Sequence, residues 1–187
     1  MHIGVPREIK PLEGRVGLIP AACSGLVSAG HAVCIESGAG VQSGYSDEAY
    51  RAAGAQIAAS AAELYEQGEL IVKVKEPLEG DLRYLRSDHI LFSYLHLAAN
   101  PALTRNLCSI GLTALAFETV QLASGELPLL APMSDIAGRL SVQLGAHLLH
   151  QPQGGKGLLL GGLAGAERGR VTVIGGGTAG GNAVRVA

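Results

Sequence analysis

Charged side chains are scarce in this sequence. Asp, Glu, Lys and Arg make up 16% of its 187 residues, where a typical domain carries about 25%. The 14 basic and 16 acidic groups leave a formal net charge of −2. Lys and Arg form no cluster of the kind that a nucleic-acid groove or an anionic membrane surface requires, so neither partner is expected. Cysteine is nearly absent too. Cys23, Cys34 and Cys108 are far apart, and no CxxC or Cys/His ligand spacing occurs. A disulfide framework and a metal site are therefore not expected, and the three thiols read as buried small hydrophobes in a reducing compartment. Long apolar runs are missing as well: none approaches the ~18–20 residues of a membrane span. The opening stretch mixes Arg7, Glu8, Lys10, Glu13 and Arg15 with prolines, which is unlike a signal peptide. A cytoplasmic location is the expectation.

What the sequence has in excess is glycine, 27 residues of it, beside an ordinary apolar share of 48%. Enough apolar surface is present to build a core, so the chain is neither disordered nor collagen-like. Low charge on an Ala-, Gly- and Leu-rich surface suggests that part of it is covered by another domain or subunit.

Helix and strand signals alternate along the chain. Strands are expected at His2–Val5, His31–Glu36, Leu70–Val74, His89–Tyr94 and Leu112–Phe117. Helix starts are marked by Pro20, by Ser46-Asp47-Glu48, by a capping box from Ser60 to Glu63, and by Asn100-Pro101. Gly30, Gly54, Gly68 and Gly111 mark helix ends. A longer helix is expected from about Met133 to His150, with Ile136, Leu140, Leu144 and Leu148 on one face. Residues 151–170 read as a glycine-dense loop, followed by a strand at Val171–Ile174 and the start of another helix. This alternation implies βαβ units and a mostly parallel sheet, an α/β fold. Residues 1–131 are expected to form one Rossmann-like domain. Residues 132–187 are expected to hold a linking helix and the first β-α unit of a second, dinucleotide-binding domain.

The sharpest local motif is Gly175-Gly176-Gly177-Thr178-Ala179-Gly180, directly after an apolar strand signal. It matches G-x-G-x-x-G through Gly175, Gly177 and Gly180. The first glycine permits a tight turn, the second a close backbone approach to pyrophosphate, and the third close helix–strand packing. The helix N-terminus behind it offers unpaired N–H groups to phosphates. The fingerprint expects an acidic residue about 20 positions further on, and only seven residues follow Gly180. The chain as it stands announces a cofactor site without completing it.

In open parallel sheets, ligands collect at the carboxyl ends of the strands. Three basic residues are expected there: Arg15 after the first strand, Lys75 at the exit of another beside Lys73 on the same face, and His96 after a third. A guanidinium grips a carboxylate in bidentate fashion, an ammonium polarises a carbonyl, and imidazole exchanges a proton near neutral pH. Together they suit a small keto acid. Glu118 follows the strand ending at Phe117 and either orients a site residue or caps Thr119. The remaining histidines read as structural.

Several segments resemble alanine dehydrogenases: Met1–Lys10, Arg15–Leu18, Glu36–Gly40, Val72–Pro77, Tyr94–Pro101, Glu118–Gln121, Leu129–Ser134, Ile136–Arg139, Gln153–Gly155 and the glycine fingerprint. The resemblance implies reversible oxidative deamination of L-alanine to pyruvate and ammonia with NAD, in a homo-oligomer. It implies that Arg15 and Lys75 bind substrate and that Lys75 and His96 are catalytic. Ser134, Gly175, Gly177, Thr178, Ala179 and Gly180 would contact NAD. It also implies a C-terminal return segment completing the first domain and a catalytic aspartate in the second half, neither of which the sequence contains. The 187-residue chain by itself is therefore expected to show no alanine-dependent NADH production. The NAD-binding subunit of proton-translocating transhydrogenase is the related alternative, and a non-catalytic oligomerisation module is another.

Overall fold

The structure, a computed structural model, describes residues 1–166 and 168–187. They divide into two compact units, Met1–Val120 and Gln121–Ala187.

The first unit is built on one six-stranded sheet, all of its pairings parallel. The strands are β1 (His2–Val5), β2 (Ala32–Glu36), β3 (Gln56–Ala58), β4 (Leu70–Val72), β5 (Ile90–Ser93) and β6 (Thr113–Ala116). Their spatial order is β3-β2-β1-β4-β5-β6, the doubly wound Rossmann order, which reverses direction between β1 and β4. Helices connect them: α1 (Pro20–Ser28), α2 (Asp47–Ala52), α3 (Ala61–Gln67), α4 (Glu79–Leu82) and α5 (Pro101–Ile110).

The helix starts follow from local chemistry. The hydroxyls of Ser46 and Ser60 accept the N–H groups of Ala49 and Glu63, and the Asn100 side chain accepts that of Leu103. The expected return half of the capping box lands one residue early: the Glu63 carboxylate accepts the N–H of Ala59. α1 and α5 each carry proline in the first turn.

Helices cover both faces of the sheet. Ile3, Val5, Val33, Ile35 and Val72 form a core with Cys23 of α1 and Tyr50 of α2. Ile71 and Leu91 pack with Leu64 and Tyr65 of α3 and with Leu103 and Leu107 of α5. Neighbours in β4 thus go to opposite faces, as the pleat demands. Each such fully buried aliphatic side chain contributes about 1.5–3 kcal/mol. Of the thiols, only Cys23 is buried, and burial pushes it up to about 11. Cys34 is half-buried and Cys108 lies exposed on α5, which corrects the expectation that all three are interior.

The second unit holds two longer helices, α6 (Ala131–Leu149) and α7 (Thr178–Val186), packed against each other. Gly138 permits that contact, since a Cβ there would lie 2.1 Å from the Ala179 carbonyl oxygen. Ile136, Leu140, Leu144 and Leu148 lie 46–62% exposed on α6. The strand expected at Val171–Ile174 does not form: among the described residues the segment has no ladder partner, and Ile174 is 98% exposed. A strand exists only by hydrogen bonding to a neighbour, and among the described residues all six strands belong to the first unit. Glu167, inside the expected glycine-dense loop, lies outside the described residues.

Candidate functional site

The carboxyl edge of the first unit's sheet gathers the three basic residues named from sequence. Arg15 lies in the loop after β1, Lys75 beyond β4, and His96 beyond β5. Arg15 and Lys75 therefore flank the point where strand order reverses, the position at which doubly wound sheets open a crevice.

Carboxylates and a tyrosine link the three. Glu13 pairs with Arg15 in bidentate fashion, Nε to Oε1 at 2.8 Å and Nη2 to Oε2 at 2.6 Å. The same carboxylate accepts the Arg15 backbone N–H and lies in the field of Lys75. Glu8, just beyond β1, accepts two successive backbone N–H groups across the crevice, Val74 at 2.7 Å and Lys75 at 3.3 Å. Tyr94 is buried, lies in the field of Arg15, and stacks on the His96 ring with centroids 6.2 Å apart. Burial pushes the Tyr94 hydroxyl up, and the Arg15 guanidinium opposes that shift. Lys75 is half-buried, while Arg15 and His96 are exposed.

The Glu118 side chain bonds to the backbone that follows β5. Its Oε1 accepts the N–H of His96 at 2.7 Å and of Leu95 at 3.2 Å, and its Oε2 lies 3.3 Å from the same Leu95 nitrogen. Thr119 is satisfied elsewhere, donating to the Ala116 carbonyl.

Lys73 departs from expectation. β4 ends at Val72, and the Lys73 side chain is fully buried, 3.4 Å from both Glu8 Oε2 and Asp81 Oδ1. Tyr65 donates to Asp81 Oδ1 at 3.0 Å, and Leu78 donates its backbone N–H to Asp81 Oδ2. Lys73 is thus an interior counter-ion beneath the edge that carries Lys75. Glu8, Glu13 and Tyr94, which touch the candidate residues or their backbone, were passed over by sequence reasoning. Glu8 and Glu13 were visible only as loop charges, because their partners are set by the fold.

The strength of the Glu13–Arg15 pair gives a pH expectation. The guanidinium's hydrogen bonds hold the Glu13 carboxyl down at about 2, against an ordinary value of 4.5. A depressed acid stabilises the fold fully above its unfolded value and loses that contribution as pH falls through the folded one. The Glu13 carboxyl carbon should therefore titrate in NMR with a midpoint near 2, leaving the pair intact at pH 4–8. A midpoint near 4.5 contradicts the pairing.

In the second unit the glycine loop has the expected strained turn. Gly175 sits at φ 104°, a region closed to side chains, and a Cβ on Gly180 would lie 1.9 Å from the Gly175 carbonyl oxygen. A Cβ on Gly177 would meet nothing within 4 Å, so the loop leaves open space there. Gly177 caps α7 without a side-chain hydrogen bond, and Ala179 lies in the first turn of that helix. Ser134 and Thr178 line one open cleft of about 510 Å³. Gly180→Ala is expected to force the turn apart and cost about 1–3 kcal/mol of stability. Thermal unfolding measures this, and backbone amide shifts should be confined to residues 175–181. Among the described residues no group of His, Cys, Asp or Glu could hold a metal ion. Among the described residues no helix is long and apolar enough to cross a membrane.

A six-stranded doubly wound sheet with basic residues at its carboxyl edge, followed by a glycine-loop helix, defines a two-unit α/β protein of the Rossmann-like class. The family profile "Alanine dehydrogenase/PNT, N-terminal domain" matches residues 4–137, and its companion "Alanine dehydrogenase/PNT, C-terminal domain" matches residues 141–187. The chain belongs to the alanine dehydrogenase/PNT family. It is 52% identical over 187 residues to the alanine dehydrogenase of Methanococcus maripaludis, covering 100% of this chain and 50% of that protein. It is 51% identical to the alanine dehydrogenase of Bacillus subtilis, covering 49% of that protein. A solved L-alanine dehydrogenase superposes with a TM-score of 0.91 at 52% identity, over 99% of this chain and 51% of that one. Transhydrogenase from Sinorhizobium meliloti superposes at 0.71 and 26% identity, over 79% of this chain and 44% of that one. The chain spans about half the length of the curated relatives it matches.

Proposed function

We propose that this chain supplies the substrate site and the phosphate loop of an NAD-dependent alanine dehydrogenase. The reaction converts L-alanine, water and NAD⁺ to pyruvate, ammonium, NADH and a proton, and runs in reverse as reductive amination. The observation that carries this reading is the placement of Arg15, Lys75 and His96 at one carboxyl edge of the sheet, beyond the adjacent strands β1, β4 and β5, in a chain 52% identical to a named alanine dehydrogenase.

Each residue has a task suited to its chemistry. Arg15, its guanidinium oriented by Glu13, grips the substrate carboxylate. Lys75 donates to the carbonyl oxygen of pyruvate and draws electron density from its carbon. His96 takes or returns the proton that accompanies interconversion of amine and carbonyl, the work for which imidazole is suited near neutral pH. Tyr94, stacked on His96, limits the ring's tilt. NAD, when bound, supplies the hydride acceptor. Gly175, Gly177, Ala179 and Gly180 shape its phosphate loop, and Ser134 and Thr178 lie in a cleft suited to further contacts. Transhydrogenation offers Lys75 and His96 no amino-acid chemistry, and the matched transhydrogenase is the more distant relative, at 26% identity. The same reading includes a cytoplasmic location and self-association.

Pyruvate titration tests the substrate site without requiring turnover. The purified chain should show saturable NMR shifts at Arg15, Lys75 and His96. Methyl pyruvate, which lacks the carboxylate, should bind at least about tenfold more weakly, as loss of one charged contact implies. No saturable shift, or equal affinity for the ester, overturns the reading.

A further inference from the structure

The two residues assigned to the pyruvate carbonyl and the proton, Lys75 and His96, share an arrangement that neither side chain explains. At the exit of β4, two successive backbone N–H groups, Val74 and Lys75, converge on the Glu8 carboxylate. At the exit of β5, two successive N–H groups, Leu95 and His96, converge on Glu118. We propose that Glu8 and Glu118 are positioning residues that fix Lys75 and His96 for substrate by clamping these paired N–H groups.

Each clamp begins where the sheet's ladder stops. Lys73 still donates to the Phe92 carbonyl and Tyr94 to the Val74 carbonyl, and the next N–H groups, those of Lys75, Leu95 and His96, go to the two carboxylates. Successive N–H groups pointing the same way form an anion-binding concavity, which a carboxylate fills with charge-assisted bonds. Each carboxylate comes from a neighbouring strand's exit. Glu8 follows β1, and Glu118 follows β6. The clamps therefore tie β1 to β4 and β5 to β6 at the edge where substrate binds.

The geometry of His96 shows why a clamp is needed there. Its backbone is left-handed, φ 50° and ψ 38°, a conformation that side-chain-bearing residues rarely adopt. Such a residue persists only where its surroundings over-determine it, and the 2.7 Å bond from its N–H to Glu118 does so. Glu8 is held in turn by Lys73, itself anchored on Asp81. Glutamine in either place keeps the shape but not the charge: it offers one carbonyl oxygen, and its amide opposes an N–H donor.

The chain contains its own control. Glu69 also accepts a backbone N–H, that of His2 at 2.7 Å, but at the opposite, amino end of the sheet. The experiment compares Glu8→Gln, Glu118→Gln and Glu69→Gln for thermal stability, pyruvate affinity, and the His96 ring shift on pyruvate addition. Glu8→Gln and Glu118→Gln are expected to bind pyruvate at least tenfold more weakly, and Glu118→Gln to lose the His96 response. Glu69→Gln should bind like the parent, even where its stability falls. The proposal rests on the pyruvate-site reading, and the outcomes separate the two. If the parent fails to bind pyruvate, that reading falls and the proposal with it. If the parent binds and both folded clamp variants match it, the proposal alone falls. Should a clamp variant fail to fold, amide exchange in the parent decides. The amides of Val74, Lys75, Leu95 and His96 should be protected like ladder amides, and unprotected exchange overturns the proposal.

Discussion

Replacing Lys73 by methionine lowers unfolding stability by about 3–5 kcal/mol, the cost of removing one partner from a buried ion cluster. The side chain is fully buried and sits 3.4 Å from each of two carboxylates that are nearly as buried, Glu8 and Asp81. Methionine matches the length of the stem but leaves two interior carboxylates without their cation. Against a total stability of about 5–15 kcal/mol, that loss is a large share. The deficit should shrink as pH falls. Burial raises the Glu8 carboxyl above its ordinary value of 4.5, with Lys73 opposing the shift. An acid raised in the folded state favours folding most at low pH and least above its folded value. Without Lys73 the rise is larger, so acid relieves the variant more than the parent. Urea unfolding at two pH values measures both effects. A loss under about 1 kcal/mol would mean that the cluster is hydrated and its charges screened.

Lys75→Met carries the largest functional effect. Lys75 lies two residues along from Lys73, yet it is half-buried at the crevice rather than interior. Stability should change little, since its ammonium forms no buried pair comparable to that of Lys73. Pyruvate affinity should fall by about 2–4 kcal/mol, roughly 30- to 1000-fold, as for truncating one side of a desolvated charged hydrogen bond. The contrast between the neighbouring lysines is itself the check: one substitution acts on stability, the other on affinity. Calorimetric titration with pyruvate, paired with urea unfolding, separates them. Equal pyruvate binding by a folded Lys75→Met variant contradicts the assignment.

Local chemistry made much of the fold legible. Ser46, Ser60 and Asn100 announced helix starts, and Gly30 and Gly111, both at positive φ, announced helix ends. β3 escaped notice because it is three residues long with one partly buried isoleucine, too short for any period to register. α4 is a four-residue turn containing glycine, and Asp81, which accepts the Leu78 N–H, belongs to a network that sequence spacing does not reveal. Arg15, Lys75 and His96 were readable because a parallel sheet places residues after its strands at one edge. Glu8 and Glu118 were harder to read because their acceptor role depends on backbones 66 and 22 residues away. The Val171–Ile174 segment has the composition of a strand without the neighbour that would make it one.

The most direct trial of the central claim is a turnover measurement. The chain, continued by the second half of the Methanococcus maripaludis alanine dehydrogenase, is assayed for NADH formation with L-alanine. The expected result is L-alanine-dependent NADH formation that falls at least 100-fold in the Lys75→Met version, the scale of losing transition-state charge stabilisation. A folded chimera that binds NAD but produces no NADH from L-alanine, or that is indifferent to Lys75→Met, contradicts the claim.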